Sequence, residues 1–146
     1  MKNHSSEIKH RRCFSLKKIS RYIFKPCWCK RCKISNGPFT DDAEVISKTA
    51  NQTFKNKGKK EIEKSFADYL ALFDIVYHLN GQQTVDINGD QATGTSYCFV
   101  TLIGKGKMNQ SGVHYKDTYV KQNGKWLIKK RESDFTFTSV NPYNTA

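Results

Sequence analysis

His78, which stands just before the Gly81 bend in HLNG, and the adjacent pair Asp41 and Asp42 are the residues best suited to moving protons. A free imidazole titrates near neutrality and can both take and return a proton. A carboxylate nearby can orient that ring or act as an acid or base itself. Each has a plainer reading beside it. A strand-end histidine can simply bond to backbone, and an acidic pair at a strand start often closes a turn or caps a helix. A second group follows on the later strands. Val113, Tyr115, Asp117 and Tyr119 alternate onto one face, with His114, Lys116, Thr118 and Val120 on the other. Arg131 then stands either as an ion-pair partner of Asp117 or Asp134, or as an anchor for an anion. Trp126, Tyr97 and Phe99 are expected to fill a wall with large rings, and the Tyr97 hydroxyl can turn into any cavity behind it.

Other chemistries are absent from the sequence pattern. There is no phosphate-cradling Gly-rich loop, no dinucleotide fingerprint, no nucleophile elbow and no paired-histidine metalloprotease helix. CWCKRC spaces three thiols as C-x-C-x2-C, yet a zinc site wants four ligands. The only fourth ligands near it, Cys13, His10 and His4, have no recognised spacing, so no metal is expected. Cofactor-free chemistry or plain ligand binding is what remains.

The net charge of +12 is concentrated at one end. Residues 1–35 carry 11 Lys and Arg against Glu7 alone, whereas residues 36–146 carry 14 basic and 12 acidic residues. The body of the chain therefore has no bulk attraction to polyanions. The leader itself, with Phe14, Tyr22, Phe24 and Trp28 among its lysines and arginines, could lie on nucleic acid or an anionic membrane. Leu16, Ile19 and Ile23 recur at helical spacing within it, and Pro26 would end such a helix. Lys17, Lys18 and Arg21 interrupt its apolar run before signal-peptide length. No stretch of roughly 18 apolar residues occurs anywhere, so no membrane-spanning helix is expected. With five cysteines, an odd number, and no export signal, a reducing cytoplasmic setting is expected, and Cys98 reads as a buried strand residue.

These side chains must be carried by a meander. Residues 84–87 and 91–103 are rich in β-formers around Asn88-Gly89-Asp90, and residues 113–120 and 126–135 flank Asn123-Gly124. Asn-Gly favours tight hairpins because both turn positions take positive φ. The polar, Gly-rich run 104–112 reads as a loop between the hairpins. Upstream, FTDDAEVIS forms a short strand, Asn56-Lys57-Gly58 a turn, and residues 59–73 a helix whose Ile62, Phe66, Tyr69, Leu70 and Phe73 share an apolar face. Residues 75–79 begin the meander, and the chain beyond Thr138 is expected to be loose. Three segments result: a basic leader over 1–35, a domain over 36–140, and a tail over 141–146.

From Phe39 to about residue 138 the ordered pieces FTDDA, GKKEIEKSF, HLNG, VDINGDQATGTSY, GVHYKDTYV and NGKWLIKKR resemble the SnoaL-like branch of the nuclear transport factor 2-like superfamily. The resemblance implies an α+β cone, a strongly curved antiparallel sheet wrapped on helices around an apolar pocket. It implies a small apolar or aromatic ligand, with His78 as acid/base of a cofactor-free lyase or isomerase and Tyr97, Tyr115 or Arg131 polarising a carbonyl. A homodimer through the sheet face is common in such proteins, and a non-catalytic dimerising or ligand-binding domain is the alternative it implies. The family's first helix, with its Tyr and Asp, has no counterpart in residues 1–35, which contain no Asp; the leader is expected to have diverged or to derive from a disturbed reading frame.

Overall fold

The computed structural model describes residues 39–144. The expectations for the leader, the metal-like cysteines and the basic arm lie outside the described residues. Within them six strands form one curved sheet: β1 (Phe39–Lys48), β2 (Thr53–Lys57), β3 (Ile75–Asn88), β4 (Gln91–Gly104), β5 (Lys107–Gln122) and β6 (Lys125–Pro142). One helix, α1 (Lys59–Leu70), stands between β2 and β3. The order is β2-β1-β6-β5-β4-β3, with β1 parallel to β6 and every other pair antiparallel.

The turns explain the meander. Asn123 (φ 49) and Gly124 (φ 75) occupy the two bend positions between β5 and β6, as the Asn-Gly signal predicts. At the first hairpin the bend falls one residue later than expected. Asn88 pairs with Gln91, so Gly89 (φ 61) and Asp90 turn the chain, and only the glycine has positive φ. The expected loop 104–112 is a third tight hairpin. Lys105 (φ 52) and Gly106 (φ 70) reverse the chain, and Gly104 already pairs with Lys107. A lysine at that bend carries no turn signal, which is why the run reads as a loop. The tail is likewise ordered as far as Pro142, because Lys107–Gly112 provides a partner strand for it.

The sheet's inner face carries α1 and the core. Ile62 is fully buried among Phe39, Ala43, Val45, Ala92, Tyr119 and Ile128, with Phe66 and Trp126 packed beside them. A second cluster of Cys98, Val100, Leu102 and Val113 is covered by Leu70, Phe73, Val76, Tyr115 and Phe135. The helix stops at Leu70, short of the expected residue 73, and tightens into i→i+3 bonds as the Leu72 and Phe73 amides donate to the Tyr69 and Leu70 carbonyls. Tyr69 is consequently exposed and meets Phe73 edge-on at 5.3 Å. Among the described residues no helix is long and apolar enough to cross a membrane.

Candidate functional site

Register decides which residues meet. His78 pairs with Val100, and Val100 pairs with Ser111. Directly opposed residues of an antiparallel pair point to the same side, so His78 faces inward with the buried Val100. Val76, two residues earlier on the same face, packs into the Cys98–Leu102 cluster. Desolvation in this apolar setting pulls the imidazole below its ordinary pKa of 6.5, so the ring is neutral at pH 7. It makes no side-chain hydrogen bond among the described residues, which leaves both ring nitrogens available. Across Val100 stands Ser111, about 10 Å away at two strand spacings. Its hydroxyl shares a 2.9 Å hydrogen bond with that of Thr138.

A separate polar cluster lies further along the same face. Asp117, 4% exposed, receives Arg131 Nε on Oδ1 and Arg131 Nη2 on Oδ2, each at 2.7 Å, and the Tyr119 hydroxyl donates to Oδ2 at 2.8 Å. The guanidinium lies 4.4 Å above the Tyr115 ring centroid. Burial pushes the Tyr115 phenol up to about 12. Burial and then the Asp117 charge hold the Tyr119 phenol above its usual range. Gly94 makes room for this cluster, since a Cβ there would meet the Thr84 carbonyl oxygen at 2.8 Å and Tyr119 Cε2 at 3.2 Å.

The two clusters do not form one site. Asp117 pairs with Gly94 and His78 with Val100. Those β4 positions are separated by about 20 Å of strand. Arg131 is held by Asp117, which is the ion-pair reading of the two left open by the sequence. The Ser96 hydroxyl, 2% exposed, lies between the clusters opposite Tyr115 and has no hydrogen-bond partner among the described residues. An orphaned hydroxyl in an apolar wall is suited to a bound molecule's polar atom or to a water.

Several expected site residues stand elsewhere. Tyr97 and Phe99 project from the outer face, because the inward phase of β4 is set by Ala92, Ser96, Cys98, Val100 and Leu102. Tyr97 is 55% exposed and stacks on His114 at 4.7 Å; Phe99 leans on Phe137 at 6.4 Å. Trp126 packs against the Ile62 core. Asp41 and Asp42 are exposed on β1, with β6, β5 and β4 between them and His78's strand, so neither orients its ring. Asp41 instead borders a depression of about 630 Å³ beside Lys57, Gly58, Lys60 and Glu63.

A second depression, of about 320 Å³, is lined by Leu72, Phe73, Gly104, Lys105, Lys107 and Asn109. It lies at His78's end of the sheet. Asn109 pairs with Leu102, one inward row (about 7 Å) from Val100. Gly104, Lys105, Lys107 and Asn109 escaped the sequence reading because 104–112 looked like a loop. Among the described residues no grouping of three or more His, Cys, Asp or Glu could hold a metal ion.

A curved, mostly antiparallel sheet wrapped on a helix is a nuclear transport factor 2-like, cystatin-like architecture. The model of the SnoaL-like domain matches residues 36–132, and the chain belongs to that family. No curated protein sequence matches it. Among solved structures it is similar to a candidate scytalone dehydratase from Novosphingobium aromaticivorans, with TM-score 0.69 and 23% identity over 90% of this chain and 89% of that one. It is also similar to a nuclear transport factor 2-like protein with a cystatin-like fold from the same organism, with TM-score 0.58 and 18% identity over 73% and 70% of the two chains. A type 2 hexachlorocyclohexane dehydrochlorinase aligns with TM-score 0.61 and 15% identity over 74% and 75%.

Proposed function

We propose that this SnoaL-like chain binds a small apolar or aromatic molecule against the inner face of its sheet, with His78 as the proton-transfer group of a cofactor-free lyase or isomerase. The observation that carries this reading is a desolvated, neutral imidazole with unengaged nitrogens beside Val76 and Val100. Such a base removes a proton from carbon next to an electron-withdrawing group. It then returns the proton to another atom (isomerisation) or protonates a departing group (elimination). The names of two structurally similar proteins, a dehydratase and a dehydrochlorinase, denote eliminations and support the same class. Asn80 beside His78 on β3, and Ser111 with Thr138 and Asn109 further across the sheet, are hydrogen-bonding groups on His78's face, and they replace Tyr97 and Arg131 as the choice for polarising an oxygen.

The test compares wild type with His78→Gln on a panel of carbon-acid and elimination substrates. Proton exchange or elimination should fall by about 10² to 10⁴, with binding changed only a few-fold. Turnover undiminished in the variant contradicts the reading.

A non-catalytic homodimer is the second reading, favoured by the apolar outer face. Leu79, Tyr97 and Phe137 are each more than half exposed there. Tyr97→Glu should then shift the sedimentation coefficient towards the monomer.

A further inference from the structure

We propose that the depression at His78's end of the sheet takes an apolar carboxylic acid, with Lys105 and Lys107 holding its carboxylate at the rim; the inference rests on the reading of that end of the sheet as the binding site. The floor is apolar, made by Leu72, Phe73 and the bare backbone of Gly104. Gly104 has no side chain because a Cβ would come within 3.0 Å of the Leu72 carbonyl oxygen and 3.1 Å of Phe73 Cα. The loop after α1 therefore sits directly on the strand, fixed by the Asp74 amide donating to the Ile103 carbonyl at 2.7 Å. The volume, about 320 Å³, is at the small end of ligand sites and suits a body of one or two rings.

Charge selects the other end of the ligand. Lys105 and Lys107 both line the depression, and neither has an ion-pair partner among the described residues. Two ammonium groups flanking an apolar floor complement a molecule that is apolar and bears one anionic group. Asn109, whose amide donates to the Leu102 carbonyl only at a long 3.4 Å, adds a hydrogen-bonding group on the side towards His78.

Backbone conformation gives independent support. Lys105 holds φ 52 at the first bend position, a left-handed conformation that glycine and asparagine take with least strain. The matching position of the β5–β6 hairpin is Asn123, at φ 49. A lysine at a position better served by asparagine is strain retained for a side-chain purpose.

The experiment uses the full chain with three probes: 2-naphthoate, neutral 2-naphthamide and inorganic phosphate. Affinity and the His78 ring resonances are followed together. In low salt wild type should bind naphthoate about tenfold tighter than naphthamide, and both should move the His78 signals. Lys105→Asn and Lys107→Gln should each reduce that preference to about threefold or less, leaving naphthamide affinity unchanged. Lys105→Asn should also leave the ligand-free melting temperature equal or higher, so lost preference cannot be ascribed to unfolding. Equal affinity for the two naphthalenes, an undiminished preference in the variants, or displacement of naphthoate by phosphate at matched concentration overturns the proposal. If naphthamide moves His78 and naphthoate has no advantage, the anion inference fails alone. If probes bind without moving His78, or do not bind, the reading of the site fails and this proposal with it.

Discussion

Arg131 grips Asp117 with two parallel hydrogen bonds of 2.7 Å each, and this pair, buried beneath Tyr119 and against Tyr115, is a strut of the sheet. It joins β5 to β6 at residues that are register partners. Its position, about 20 Å of strand from His78, separates the part of the inner face that holds the sheet from the part open to chemistry.

Breaking one side of this pair strands a buried charge. Asp117→Asn should cost about 3–5 kcal/mol in urea unfolding. The double change Asp117→Leu with Arg131→Met should cost less than the single one, because no charge is left without its partner. A double variant as unstable as Asp117→Asn would contradict the account.

Gly94→Ala should cost roughly 1–3 kcal/mol through crowding against the Thr84 carbonyl and the Tyr119 ring. A Cβ at Gly112 meets first the ring of Phe137, which is 56% exposed and able to swing out, so Gly112→Ala should cost less than about 1 kcal/mol. Chemical denaturation of the two variants compares them directly.

The Cys98 thiol, 4% exposed, is pushed up to about 11 by burial, so little thiolate forms at pH 8. Alkylation with iodoacetamide followed by peptide mapping should leave Cys98 unlabelled in the folded chain and label it in denaturant. Rapid labelling of the native protein would place Cys98 outside the core.

The β5 face was legible because Val113, Tyr115, Asp117 and Tyr119 alternate without interruption, and all four turn inward. The 113–120 and 126–135 hairpin was legible for the same kind of local reason, Asn123-Gly124. β4 was not, because residues 97–103, Thr101 apart, are apolar or aromatic on both faces and alternation fixes no phase. Cys98 was read as buried, but only pairing with β5 shows that Tyr97 and Phe99 take the opposite face. β3 was read as two pieces, since a bulge between Asn80 and Gln83 hides their continuity. The company His78 keeps depends on its pairing with Val100, a contact no local pattern encodes.

His78 also shapes stability. Its folded pKa lies below the unfolded value of 6.5, so the unfolded chain takes up more protons as pH falls from 6.5 towards the folded pKa. Stability must drop across that window and level off beneath it. His78→Gln should flatten this part of the profile in pH-dependent urea melts; an unchanged slope would contradict the burial argument.

NMR titration of the His78 ring, with and without 2-naphthamide, decides whether that imidazole faces a dry interior that accepts a ligand. The midpoint should lie below 6.5 in the free protein, and the ring resonances should move when the amide binds. A midpoint at the ordinary value, with resonances indifferent to the ligand, would contradict that placement.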